Sequence, residues 1–525
     1  MKNKNNLPLY LGLSLAIGVL IGGFFNFPNV NSSVFGTTDS NQKIQKLLTF
    51  IEQEYVDKVD TEVLLDNVIA DLLGKLDPHS VYFPKDEFLA NKENLQGNFE
   101  GIGVQFSMHK DTLVVTHVLK GGPSEGAGIL AGDRILVANQ DTLFNKNLSN
   151  LDIVKVLKGP ANTPVALSVY RKDNEALLTF NLERNKVAIQ SAEVAYMLTD
   201  QLGYVKLDRF AMTSFQELQQ QLVALKKEGA TNLILDLRQN GGGYIHIANQ
   251  IADQFLSEGK LIVFTENNKG VKEEFYATDK GVFQKGKVYV LIDEGSASAS
   301  EIVAGALQDN DIGTIVGRRS FGKGLVQEEM KLGDGSAVRL TIARYFTPTG
   351  RSIQKPYKMN DAQGYALDYQ NRLLNGELLS KDSIKVTDSL KFTTAKGKVV
   401  YGGGGIIPDV FVAVDTTRYI ENRYFMKIND FTFAYADTHR KALLAKGFTS
   451  FEQAYDANSK VLNAYINAFK TKNWKLNNKQ KHILNHYLKA LITRQVFGET
   501  AFYKVTNTED VMISKILELE AAFMD

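Results

Sequence analysis

The stretch GKVYVLIDEGSASASEIVAGALQDN (residues 286–310) decides the fold. Its apolar run at 288–292 has the length and branched or aromatic content of a fully buried strand. Asp293, Glu294 and Gly295 interrupt that run, and three serines follow at alternate positions, Ser296, Ser298 and Ser300. From Glu301 the apolar residues Ile302, Val303, Ala306 and Leu307 recur at helical spacing. A Ser/Ala run is often a flexible connector, but a buried strand before it and a helix after it argue against one. Strand, tight loop and helix form the repeating joint of a parallel α/β sheet, whose sites gather beyond the carboxyl ends of the strands.

The same joint occurs upstream. ATNLILDLRQNGGGY (residues 230–244) reads as a buried strand running into a glycine loop, and IHIANQIADQFL (245–256) as the helix after it. LGYVKLDRF (202–210) and SFQELQQQLVALKKEG (214–229) supply another strand and an amphipathic helix, and GTIVGRRSFGKG (313–324) a strand and loop. LVQEEMKL (325–332) and SAVRLTIARYFTPTG (336–350) read as a terminal hairpin. The expected core is a mostly parallel sheet with right-handed crossovers, spanning residues 187–415. The DLRQNGGG and DEGSASAS loops meet beyond one end of it.

Before the core, residues 96–186 change period. GIGVQFSMHKDTLVVTHVLKGGPSEGAGILAGDRILVANQ (101–140) gives short strands with glycine turns, NLDIVKVLKG (150–159) a helix, and 164–172 with 175–184 a closing hairpin. This order resembles a PDZ domain. The resemblance implies that Gly101, Ile102, Gly103 and Val104 offer backbone N–H groups to the carboxylate of a peptide C-terminus, the peptide adding as a strand beside the helix.

Residues 1–27 carry Lys2 and Lys4 and then LPLYLGLSLAIGVLIGGFFNF (7–27), 21 residues without a charge. That length crosses a hydrocarbon core as a helix, and the bulky end lacks the small-residue pattern of a cleavage site. The expectation is an uncleaved single-pass anchor with everything after Pro28 outside the cytoplasm, secretion after cleavage being the alternative. Residues 28–95 hold a polar linker and a helical pair with apolar positions at Ile44, Leu47, Leu48, Ile51, Tyr55, Leu64, Val68 and Leu72, ending near Asp77 and Pro78. Too small to stand alone, the pair is expected to pack on the next domain or on a second copy, giving a homodimer. Residues 416–525 are helix-like, contain the single Trp474 and show no chemical motif. They read as an accessory or oligomerising extension.

At 525 residues the chain exceeds one core, so several domains are expected. Lys and Arg (60) balance Asp and Glu (59), which argues against a nucleic-acid partner. The absence of cysteine excludes disulfides, thiol nucleophiles and Cys-ligated zinc.

A nucleophilic serine needs a base. Outside the PDZ-like strands and the tail the histidines are His79, in DPHSVYF (77–83), and His246, after the glycine loop; both read more readily as structural. No G-x-S-x-G elbow is present, so a Ser–His–Asp triad has little support. RRSFGKGLVQEEM (318–330) places Lys323 between glycines, with Phe321, Leu325 and Val326 around it. A lysine base must fall from a pKa of about 10.4 to near 7, on the order of 4 kcal/mol, which burial in an apolar pocket can supply. Gln327, four residues on, could orient the amine. Loop lysines are common, so the residues alone leave the base open.

GSASASEIVAGALQD followed by FGKGLVQ, with DLRQNGGG, FTPTGRSIQ and GIIPD in order over residues 40–414, resembles the carboxy-terminal processing proteases, tail-specific peptidases of family S41. The resemblance implies a multidomain α/β protein: a PDZ domain inserted near a mixed α/β, crotonase-like serine protease core, with N-terminal helices and a helical C-terminal extension. It implies Ser298 as nucleophile, Lys323 as base, Gln327 as its orienting partner, and an oxyanion hole from the N–H groups of Ala299 and Gly242, with Gly243 the alternative to Gly242. A start of a helix at Ser298 would favour that oxyanion. Ser296, Ser300 and Glu301 then read as turn and capping residues, and Asp236 and Arg238 as supports of the glycine loop. The implied activity is endoproteolysis of polypeptides with free apolar C-termini, by an acyl-enzyme and with no metal or cofactor. A penicillin-recognising hydrolase would need S-x-x-K, which Ser298 does not begin; a dead scaffold would lack one of the three catalytic residues. Three features depart from the family: Gly241 stands where proline is usual, residues 358–400 are a polar insertion with no role assigned, and residues 416–525 match nothing in the family core.

Overall fold

The computed structural model describes residues 39–522, apart from 173, 175, 360, 457–459 and 469–475. The apolar run at 7–27 and Trp474 lie outside the described residues, and among these no helix is long and apolar enough to cross a membrane. The chain forms two compact units, residues 1–71 and 72–525. In the first, the helix Asp39–Glu54 is followed by the start of Thr61–Gly74, matching the expected helical pair. Ile44, Leu47 and Phe50 are all more than half exposed.

In the second unit the PDZ domain is a five-strand sheet, ordered Val104–His109, Thr112–Val118, Arg134–Ala138, Pro164–Tyr170 and Leu178–Glu183, with Asp141–Thr142 paired beside it. Ile135, Ile153, Leu157, Leu167 and Val169 fill its core. Ser149 and Asp152 close a capping box on the helix Asn150–Leu157. Asn98–Gly101 and Asn185–Ala188 pair antiparallel, so the chain enters and leaves the domain through one ladder. The PDZ domain is therefore an insertion on a two-strand stem.

The protease core is a six-strand sheet in the order Ala195–Met197, Leu202–Lys206, Asn232–Asp236, Val288–Ile292, Gly313–Gly317 and Val410–Phe411. All neighbours pair in parallel except the first two strands. Successive strands step the same way across the sheet, so right-handed crossovers put the helices Ser214–Glu228, Ile245–Asp253 and Ala299–Asp309 on one face. Alternation divides each strand: Leu233, Leu235, Val288 and Val290 face those helices, whereas Tyr204, Ile234, Tyr289 and Leu291 face the other way. That second face is covered by Met512, Ile513 and Ile516 of the helix Val511–Ala521. The helix Val511–Ala521, within the helical extension expected from residue 416, thus covers the protease core. The reason is that one-sided winding leaves an apolar face that some later segment must bury.

The expected hairpin, Leu325–Lys331 with Ala337–Phe346, belongs to a second sheet instead of ending the first. It joins Val81–Phe83, Leu261–Asn267 and Lys272–Tyr276 there. Helices between residues 428 and 497 bury their own clusters around Tyr465, Leu484 and Ile492. From this bundle Asp437 accepts two hydrogen bonds from Arg134 of the PDZ domain, at 2.8 and 2.9 Å.

Candidate active site

Ser298 stands between the strand Val288–Ile292 and the helix Ala299–Asp309, and its neighbours Ser296, Ala297, Ala299 and Ser300 are buried while it stays part-exposed. Its backbone has φ 55° and ψ −113°, a strained combination for a residue with a Cβ. Such strain, on the order of 1–3 kcal/mol, persists only where the surroundings impose it. They do so here through the flanking serines. The Ser296 hydroxyl donates to Leu237 O at 2.8 Å and that of Ser300 to Asn240 O at 2.8 Å, tying the serine loop to the glycine loop. On the other side, a Cβ on Gly242 would lie 2.8 Å from Ser298 Cβ and 2.9 Å from Ala299 N, so only glycine permits this approach.

Lys323 follows the strand Gly313–Gly317 and lines, with Ser298, Gly241 to Ile245, Val326, Gln327 and Arg339, a cavity of about 450 Å³. Its ammonium donates to Gln327 Oε1 at 2.9 Å, and Gln327 Nε2 donates in turn to the His79 carbonyl. Burial lowers the Lys323 pKa to about 8; Arg339 adds to the fall, while Glu301 and Asp77 oppose it. Among the described residues, no hydrogen bond joins Ser298 Oγ to Lys323 Nζ, although both line the one cavity. Apo sites often show such open geometry, which closes around substrate.

The turn at residues 77–80 holds the His79 carbonyl in place. Asp77 Oδ1 accepts from the backbone of His79 and Ser80 at 2.8 and 3.0 Å, and Thr341 donates to it at 3.1 Å. The His79 ring is no base here: burial first, then nearby Lys323, lowers its pKa to about 4, and its Nε2 lies 2.8 Å from the Tyr365 hydroxyl. His246 is exposed and stacks near Tyr244, 5.2 Å between centroids, outside the cavity lining. Glu301 is fully buried and accepts from Ser298 N, Gly322 N and Lys323 N at 2.9, 2.7 and 2.8 Å.

These residues belong to a recognisable set. Residues 201–363 match Peptidase family S41, residues 101–182 the PDZ domain, and residues 425–498 a family of unknown function, DUF8443. The chain is 33% identical over 329 residues to a carboxy-terminal-processing protease of Bartonella bacilliformis, covering 61% of this chain and 75% of the relative. It is 32% identical over 318 residues to the carboxy-terminal processing protease CtpB of Bacillus subtilis, covering 60% and 65%. The chain belongs to the carboxy-terminal processing proteases of family S41. Among solved structures, the photosystem II D1 C-terminal processing protease is 29% identical and covers 62% of this chain and 93% of its own, with a TM-score of 0.34.

In this serine-type peptidase Ser298, Lys323, Gln327 and Gly242 line one cavity, and Ala299 N lies beside Gly242. Gly242 differs in one respect: its N–H donates to Asn240 Oδ1 at 2.9 Å, closing a turn within the glycine loop. The Gly242 half of the expected oxyanion pair is thus engaged inside the protein. Asp236 and Arg238 point away from the cavity: Arg238 binds Asp236 on one side and Asp510 at 2.6 Å on the other. In the PDZ loop, Gly101 stands opposite Asn185 in the stem ladder, and the carbonyls of Ile102 and Gly103 accept from Ser124 N (2.9 Å) and Leu119 N (3.0 Å). Val104 begins an edge strand, so a peptide can add beside it.

Sequence reading missed three contributors: the His79 carbonyl, Tyr345 and the insertion. Two of its short helices, Ala362–Ala366 and Asp368–Leu374, lie against the lysine loop. Arg372 donates to the carbonyls of Arg319, Ser320 and Phe321 at 2.8–3.1 Å, just before Gly322 and Lys323. Nothing local announces such long-range contacts. The serine at 80, which could have flagged an Asx turn after Asp77, was the one available signal.

Proposed function

We propose that this PDZ-containing peptidase cleaves by a Ser298–Lys323 dyad. The observation that carries the proposal is a buried amine with a pKa of about 8 lining the same cavity as a strained serine at a helix N-terminus. Neutral Lys323 takes the Ser298 proton as the oxygen attacks the scissile carbonyl carbon. The Ala299 N–H and the helix dipole then face the developing oxyanion. Gly242 joins as second donor when its amide leaves Asn240. Lysinium returns the proton to the departing amine, leaving an acyl-enzyme and a free C-terminal fragment. Water, deprotonated by Lys323, attacks the ester and releases Ser298. Gln327, held by His79 O, keeps the amine on that path.

The substrate is a polypeptide with a free apolar C-terminus, whose carboxylate meets the N–H groups near Ile102 and Gly103. The run at 7–27 anchors the chain and leaves the protease outside the cytoplasm, where such tails of exported proteins are met. The exposed apolar residues of Asp39–Glu54 suit a homodimer. Ser298→Ala and Lys323→Ala should each abolish cleavage of an apolar-tailed peptide while circular dichroism stays native; cleavage at the wild-type rate by either protein refutes the dyad.

A further inference from the structure

Resting on the dyad reading, we infer that Glu301 and Tyr345 are paired positioning residues that fix Ser298 and Lys323 relative to each other, one gripping their backbone N–H groups and the other their carbonyls. Ser298 and Lys323 sit on separate loops, divided by a helix and a strand, so nothing in the chain's covalent order sets their separation. A single carboxylate oxygen does. Glu301 Oε2 accepts from Ser298 N at 2.9 Å and from Lys323 N at 2.8 Å. Its other oxygen accepts from Gly322 N at 2.7 Å and from the Ser320 hydroxyl. From the opposite side, the Tyr345 hydroxyl donates to Lys323 O at 2.6 Å and lies 3.2 Å from Ser298 O.

A capping role for Glu301 explains only the first of its four bonds. The other three donors all belong to the lysine loop. Burial pushes the Glu301 carboxyl up, and the four donors on its two oxygens oppose that rise and favour the carboxylate form. An anion buried in this way is costly unless fully bonded, and a shorter or apolar residue would cap or fill the site at less cost. Tyr345 is likewise fully buried, and its hydroxyl has the same two residues as partners. A displacement of about 1 Å between reacting groups costs about 100-fold in rate, which is the margin such a grip protects. The carboxylate has a second effect. The charged groups that bear on Lys323 are Arg339, which lowers its pKa, and Glu301 and Asp77, which raise it. Removing the Glu301 charge therefore eases deprotonation of the amine even as it loosens the geometry.

The test uses the full chain, a serine-directed fluorophosphonate to read acylation, and hydrolysis of an apolar-tailed reporter peptide. Tyr345→Phe keeps the ring packing and should lower the acylation rate about tenfold, with KM and the pH midpoint unchanged. Glu301→Gln should lower it about 100-fold and move the acid limb of the pH–rate profile to lower pH. A purely structural residue would lower thermal stability and leave that midpoint in place. Acylation within about twofold of wild type in Tyr345→Phe, or a Glu301→Gln midpoint that does not move down, overturns the inference; if Glu301→Gln does not fold, Tyr345→Phe alone decides. The dyad itself fails by a different result, activity in Ser298→Ala or Lys323→Ala.

Discussion

The pH dependence of acylation separates Lys323 from every other candidate base. A base must be neutral to accept the serine proton, and Lys323 titrates at about 8. About one site in ten is then ready at pH 7 and about nine in ten at pH 9, so the rate should rise about tenfold over that span and level off above it. A lysine with an unshifted pKa near 10.4 would give about a 100-fold rise over the same span with no plateau. His79, at about 4, is neutral throughout and would give a flat profile from pH 6 to pH 10. His246, also lowered by burial, would be flat above pH 7. Stopped-flow labelling with a fluorophosphonate reads the chemical step without product release. The cause can be checked as well, because Arg339 lines the cavity and its cation lowers the Lys323 pKa. Arg339→Met should move the midpoint up, and an Asp77→Asn change should move it down. A flat profile, or a midpoint at 10 or above in the wild-type protein, refutes the assignment of Lys323 as a desolvated base.

Three further outcomes follow from the architecture. Amidating the substrate C-terminus, or replacing Gly103 (φ 81°, with a Cβ 3.2 Å from Gly122 Cα) by valine, should raise KM by about tenfold or more without lowering the acylation rate; unchanged KM in both experiments rejects carboxylate capture by the loop. Ile516→Ala opens a cavity under Ile234 and Tyr289 and should destabilise the protease core by about 2–5 kcal/mol, read by hydrogen exchange in Asn232–Asp236. Arg372→Ala frees the carbonyls of residues 319–321 and should speed exchange in the lysine loop while lowering kcat; wild-type exchange there would show that the insertion does not brace it.

Much of this site could be read along the chain because its chemistry sits in loops that follow strongly patterned strands. Residues 288–292 and 233–235 are apolar on both faces, which identifies central parallel strands, and each opens into a loop of small residues that the crossover rule then brings together. The features that escaped are those set by contacts distant in sequence. Glu301 reads locally as a helix cap, and only folding brings Lys323 N onto the capping oxygen and Ser320 and Gly322 onto the other. His79 reads as a candidate base, yet its carbonyl does the work, and a carbonyl leaves no mark in a residue pattern. The tail helix carried an amphipathic pattern without a partner, because the face it covers is visible only once the one-sided winding of the sheet is known.

That same tail helix reaches the catalytic loops through charge. Asp510 caps the helix Val511–Ala521 and binds Arg238, which holds Asp236 at the end of the strand that opens into the glycine loop. Burial by itself would push the Asp236 carboxyl up, but Arg238 and Lys206, with hydrogen bonds from Arg238 and Tyr204, hold it well below the ordinary carboxylate range. A carboxyl depressed in the folded state contributes stability above its unfolded pKa, about 3.9, and loses it as pH falls from there. Asp236→Asn leaves Arg238 short of its main partner and should cost about 3–5 kcal/mol at pH 7. The difference between wild type and Asp236→Asn should stay constant from pH 7 down to about pH 5 and shrink below pH 4, as Asp236 of the unfolded wild-type chain takes up a proton that the folded state still excludes. Urea titrations followed by hydrogen exchange in Asn232–Asp236 measure that difference at each pH. A gap that keeps its full size at pH 2 would mean the pairing contributes through shape alone, and the link from tail to glycine loop would then not be electrostatic.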